Sequence, residues 1–231
     1  MAAVYQRLGQ PKKALSWLRL ACSVDPTQAG DPNLQAAISK LQDPANNPSG
    51  SLTANDYAAS LISFKGWRKE SMPLKVYVRK NIQIPDFYDH FVSLMRESFD
   101  QWSKAANGTL SFEFVSSPDA ANVLCDYTDR RELVSSQHEL GIDGITEMLV
   151  KQDGTPGSAN IVILVKDSPR APTFKNRALL LLSCLHEVGH AFGMHGHSPN
   201  NHDVMFSAAT LTGPKVLSER DKNTIRRIYK P

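Results

Sequence analysis

The stretch from His186 to Met205 reads HEVGHAFGMHGHSPNNHDVM, and the rest of the chain is read outward from it. His186 and His190 stand four residues apart. On a helix of about 3.6 residues per turn, both imidazoles leave the same face and can grip one metal ion. Neutral imidazole suits zinc. Glu187 lies on the same turn as His186, where a carboxylate can hydrogen-bond a zinc-bound water instead of ligating the metal, the position of a general base. Gly193 follows His190 by three residues, where a chain leaving a helix sharply needs a residue able to take positive φ. A third imidazole is then available from either His195 or His197.

Together these residues resemble the signature of the metzincin metalloproteases, HExxHxxGxxH followed by a methionine turn. The third-histidine position of the strict signature holds Gly196 here, and His197 lies one residue later. Met205 lies eight residues beyond His197, and His197-Ser198 is similar to the opening of the GHS…M segment of matrixins. The resemblance therefore makes His197 the third ligand, with one extra residue in the Gly193 turn and His195 as the alternative third ligand. Val204-Met205-Phe206 is similar to the methionine turn. Ser207 stands where astacin-like and serralysin-like metzincins place a zinc-contacting tyrosine, which separates the chain from those branches.

The resemblance implies a zinc-dependent endopeptidase acting on peptide or protein substrates. One catalytic Zn2+ would be held by His186, His190 and His197, with Glu187 activating water and Gly193 and Met205 in support. Some relatives also carry structural zinc or calcium. The polar segment Thr128 to Gly144 contains His138, Glu139 and Asp143, but no ligand spacing supports a second ion or a calcium site, and the three are read as exposed loop residues. Two alternatives are set against this reading. A gluzincin-like site would recruit Glu219 as third ligand, leaving the glycine, GHS and methionine pattern without a reason. A tetratricopeptide-based binding protein with a structural or latent zinc site would have no use for Glu187, since a structural site favours a closed shell of four ligands.

The composition fits one medium domain plus a smaller piece: 231 residues, 41% hydrophobic and 21% charged. A net charge of +3 without dense runs of Lys and Arg points away from nucleic acid as a partner. Cys22, Cys125 and Cys184 are scattered and form no CxxC pair, so neither a disulfide framework nor a zinc ribbon is expected. Cys184 reads as a small buried hydrophobe. No apolar run is long enough to span a membrane, and no signal-peptide core follows Met1.

Residues 1–42 differ in character from the rest. AAVYQRLGQPKKALSWLRLACSVDP resembles most of one tetratricopeptide repeat, with Ala2, Tyr5, Leu8 and Gly9 in a first helix and turn, Ala14, Leu18 and Ala21 in a second, and Pro26 closing it. Such a repeat implies a protein partner and, because single repeats do not bury their faces, a longer parent chain. Localisation is accordingly left open between cytoplasmic and exported. Residues 43–72 are expected as a linker, with QDPANNPSGSLTAN rich in turn formers.

Residues 73–231 read as an α+β domain, which the resemblance makes a metzincin or matrixin-like fold with a twisted, mostly parallel sheet of about five strands and three helices. Strands are expected at Leu74 to Val78, Leu110 to Val115 and Ala121 to Tyr127, and a helix at Asp86 to Ala106 ended by Asn107-Gly108. Thr146 to Val150 and Ala159 to Val165 are expected to pair as a hairpin, the resemblance making the later strand the edge for an extended substrate. The active-site helix is expected from about Thr173 to Phe192, and a last helix from Leu217, opened by a capping box of Ser218 with Asp221 or nearby acids.

Overall fold

The structure is a computed structural model. It describes residues 55–61, 65–134, 143–206 and 216–230, all within a compact unit spanning 52–231. The tetratricopeptide-like reading of 1–42 lies outside the described residues, as do His138, Glu139 and Ser207.

The architecture is α+β. Five strands, β1 (Leu74–Val78), β2 (Phe112–Phe114), β3 (Val123–Thr128), β4 (Gly144–Val150) and β5 (Pro156–Leu164), form one sheet in the order β2-β1-β3-β5-β4. The first four in that order run parallel, and β4 is antiparallel to β5. Three helices complete the fold: α1 (Tyr88–Ala105), α2 (Arg177–Ala191) and α3 (Glu219–Ile228). Alternating residues of β1, β3 and β5, among them Val76, Cys125 and Ile161, enter one core with Phe91, Met95, Phe99 and Trp102 of α1 and Leu185 and Val188 of α2. Trp102 locks the two helices together. It is fully buried, and its indole N–H donates to the Leu185 carbonyl at 2.8 Å, one and a half turns before the end of α2.

Chain reversals follow local chemistry. α1 ends where Asn107 (φ 53°) and Gly108 (φ 79°) enter the left-handed region. α2 starts at Arg177, later than the Thr173 expected, because the Asn176 side chain accepts from the Ala178 amide and sets the first turn there. α3 opens with the expected capping box between Ser218 and Asp221.

The order of the hairpin strands differs from expectation. β5 pairs with β3 on one side and β4 on the other, so the earlier strand, β4, is the sheet edge. Burial agrees. β5 carries Ala159, Ile161, Ile163 and Leu164 into the core, whereas Glu147, Leu149 and Val150 of β4 are exposed.

Asp143 also departs from its expected exposure. It is buried, with Oδ1 2.9 Å from the Lys175 ammonium and 3.7 Å from Arg131, and Lys175 reaches Asp167 at 2.8 Å as well. A buried carboxylate persists only when paired, and Lys175 supplies the pair. Part of the stretch expected as a linker, 43–72, is described. Tyr57, Leu61 and Trp67 within it are buried in the domain core.

Candidate active site and metal centre

α2 positions the first two histidines and the carboxylate between them. His186 and His190 bring their Nε2 atoms to 3.1 Å from each other. Each ring is fixed from behind: His186 Nδ1 lies 2.8 Å from the Val204 carbonyl oxygen, and His190 Nδ1 lies 2.7 Å from that of Met194. A carbonyl oxygen only accepts, so both Nδ1 atoms carry the proton and both Nε2 atoms are left as lone pairs facing one another. Two lone pairs at this distance repel unless a cation lies between them. Two zinc–nitrogen bonds of roughly 2.05 Å at a tetrahedral angle place nitrogens about 3.3 Å apart, close to the separation found.

His197 completes the group. Its ring stacks on His186 at 5.2 Å between centroids and meets His190 edge-on at 5.1 Å. The ligand nitrogens of His186, His190 and His197 all lie within 4.8 Å of one another, and no other group of three or more His, Cys, Asp or Glu able to hold a metal ion occurs among the described residues. His195 is half-buried and stands outside this group; its amide donates to the Gly193 carbonyl. Glu219 pairs with Lys222 at the start of α3 and is no part of the cluster. Burial lowers the pKa of all four imidazoles, bringing His186 to about 4 with help from His197 and His190 well below its usual range. At neutral pH the rings are in the uncharged form that a metal requires. The donor set fits zinc.

The third histidine is delivered by a tight exit from α2. The last carbonyls of the helix are capped by side chains: Trp67 Nε1 donates to Ala191 at 2.8 Å, and the Tyr229 hydroxyl donates to Phe192 at 3.0 Å. Gly193 (φ 97°) then turns the chain, and a Cβ there would fall on the Lys65 carbonyl. Gly196 (φ 109°) makes a second left-handed step before His197. Beyond it the Ser198 amide donates to the Met205 carbonyl at 2.7 Å, so the loop carrying His197 and the Val204–Phe206 stretch form one unit.

Met205 is fully buried and packs against α2. Gly189, between them in sequence, gives it room, since a Cβ at Gly189 would strike the Met205 sulfur. Asp203, almost fully buried, gathers this region by accepting from Ser198, Ser218 at 2.7 Å and Arg220 at 3.0 Å.

Glu187 is buried, and burial raises its pKa to about 7, opposed by a hydrogen bond from Thr146. The Thr146 hydroxyl lies 2.7 Å from Glu187 Oε2 and 3.0 Å from the Glu187 carbonyl oxygen. Two residues earlier on β4, Gly144 leaves space for the same side chain: a Cβ would stand 2.7 Å from Glu187 Cγ and 2.9 Å from Oε1. The edge strand therefore shapes the carboxylate's position as well as bordering the site. Thr146, Gly144, Gly189 and Asp203 were not singled out as site residues by sequence reasoning. Only Gly189 carried a local signal, since glycine in mid-helix is unfavourable by about 1 kcal/mol and needs a packing reason.

A three-histidine group on a helix and its exit loop, with a glutamate on the same helix and a buried methionine packed against that helix, fits a metzincin-like zinc site on an α+β fold. The family model of the matrixins matches residues 67–230, and the chain belongs to the matrixin family of metallopeptidases. Comparison with curated proteins returned no match.

Proposed function

We propose that the protein is a zinc-dependent endopeptidase in which His186, His190 and His197 hold one zinc ion and Glu187 is the general base. The observation that carries this reading is the facing pair of Nε2 atoms 3.1 Å apart, with His197 beside them and the Glu187 carboxylate on the same helix. A zinc ion held there would supply Lewis-acid chemistry, polarising a peptide carbonyl and lowering the pKa of water towards ~7.

The chain's own residues supply the rest. Glu187 takes a proton from the attacking water and passes it to the leaving nitrogen. Thr146 holds the carboxylate so that one oxygen is tied and the other is turned away from that bond. β4, the antiparallel edge beside the helix, has no partner strand on its outer side among the described residues, and an extended peptide lies there as an added strand.

Glu187→Gln is expected to keep bound zinc while peptide hydrolysis falls by about 10²–10⁴-fold, the usual contribution of a general base. His197→Ala is expected to lose zinc and His195→Ala to keep it, measured as zinc per chain after dialysis. Normal hydrolysis by Glu187→Gln, or normal zinc in His197→Ala, would overturn the respective assignment.

A further inference from the structure

Tyr57 lies ten residues before the start of the family match, yet it is fully buried, and its contacts lead to the metal centre. Its hydroxyl donates to Asp221 Oδ1 at 2.6 Å. The other oxygen, Asp221 Oδ2, accepts from the Val204 amide at 3.0 Å and the Ser218 amide at 2.8 Å. The Val204 carbonyl in turn holds His186 Nδ1 at 2.8 Å. Val204 is thus gripped at both ends, by Asp221 at its amide and by His186 at its carbonyl, and Tyr57 sets the rotation of the carboxylate that does the gripping.

The segment carrying Tyr57 is clipped to α3 by further bonds. The Tyr57 amide donates to Thr224 Oγ1 at 3.1 Å, Asn223 Nδ2 to the Asn55 carbonyl at 2.9 Å, and Arg227 pairs with Asp56 at 3.2 Å. These place the tyrosine. The hydroxyl acts on Asp221. Without it, an Asp221 oxygen inside a fully buried side chain loses its donor, and a buried carboxylate in that position rotates or moves to find another. Either response disturbs the bond to Val204, and with it the carbonyl that fixes the ring of His186. Groups that orient a metal-binding histidine from behind commonly alter metal affinity by about 10–100-fold when removed.

We propose that Tyr57 is a positioning residue of the zinc site, acting through Asp221 and Val204 on the ring of His186. The proposal rests on the reading of His186, His190 and His197 as zinc ligands. It makes a segment upstream of the family match part of the apparatus that sets metal affinity.

The test uses the full chain, stripped of metal and titrated with zinc against a chromophoric chelator, with the cobalt-substituted form examined by visible absorption. Tyr57→Phe is expected to weaken zinc binding by about tenfold and to shift the cobalt bands, which report ligand geometry directly. Leu61→Ala, which removes buried packing from the same segment without touching Asp221, is expected to lower the melting temperature but leave zinc affinity and the cobalt spectrum unchanged. Asp221→Asn is expected to weaken zinc likewise, and Tyr57→Phe to add little on top of it, because the two act in series. The Asp221→Asn spectrum also carries the test if Tyr57→Phe does not fold. Zinc affinity and cobalt bands of Tyr57→Phe equal to wild type overturn the proposal, as do equal losses in Leu61→Ala or additive losses in the double variant. A wild type that binds no zinc overturns the ligand assignment itself, a different result from wild-type binding that is indifferent to Tyr57.

Discussion

Replacing Gly144 by alanine tests whether β4 sets the position of the proposed base. The added Cβ would lie 2.7 Å from Glu187 Cγ, 2.9 Å from Oε1 and 3.0 Å from Ile163 Cδ1. Carbon atoms settle at about 3.5–4.0 Å, so the Glu187 side chain has to retreat by roughly 0.8 Å. That retreat lengthens the 2.7 Å hydrogen bond from Thr146 to about 3.5 Å, beyond a useful bond. A misplacement of about 1 Å costs up to ~10²-fold in rate, or about 2.7 kcal/mol in the barrier. The metal ligands are not struck, so zinc content stays at the wild-type level. Crowding a packed site adds about 1–3 kcal/mol of destabilisation, a melting temperature lower by about 2–12 °C at ~2–4 °C per kcal/mol. The assay is kcat and KM on a quenched fluorescent peptide beside zinc content and calorimetry, with kcat carrying the loss. Wild-type kcat in Gly144→Ala would refute the argument that β4 controls the carboxylate. Zinc loss would show that the substitution acts through the ligands instead.

Two further outcomes are expected. Thr146→Val, isosteric but without the hydroxyl, should lower kcat while zinc stays bound; a hydrogen bond to a charged group contributes about 1.5–3 kcal/mol, so about 10–10²-fold is at stake, and Thr146→Ser should restore most of it. Equal rates for the valine and serine variants would remove Thr146 from the site. Lys175→Met leaves the buried Asp143 without its nearest cation and should destabilise the domain by about 3–5 kcal/mol, read by chemical denaturation; a loss below about 1 kcal/mol would mean that Arg131, at 3.7 Å, suffices to hold the carboxylate.

What the sequence made legible were features whose cause lies within a few residues. The spacing of His186 and His190 needs only the helical repeat. Asn107-Gly108 stops α1 through its own φ angles, and Ser218 and Asp221 cap α3 across three residues. What stayed hidden depends on partners far along the chain. Thr146 meets Glu187 41 residues away, Lys175 reaches Asp143 across 32, and Tyr57 finds Asp221 across 164. The turn formers between residues 150 and 159 marked β4 and β5 as a hairpin but carried no information on which strand faces β3, because that is decided by the neighbour and not by the turn. Asp143 looked like a loop carboxylate for the same reason: its burial is a property of Lys175.

The route from α2 to His197 also bears on how such enzymes are found. Ligands on a helix are bound to a fixed count, since one inserted residue would rotate the second imidazole by about 100° off the shared face. A residue beyond the helix is placed by where its loop closes, and two left-handed glycines, Gly193 and Gly196, with the Ser198 to Met205 bond behind them, let the loop absorb an extra residue and still bring the His197 ring beside His186 and His190. A search pattern with rigid spacing through the third histidine passes over this chain. A pattern rigid over the helix, elastic through the glycine turn and anchored again at the methionine would recover it, and would extend to diverged peptidases whose sites are intact but whose loops have drifted in length.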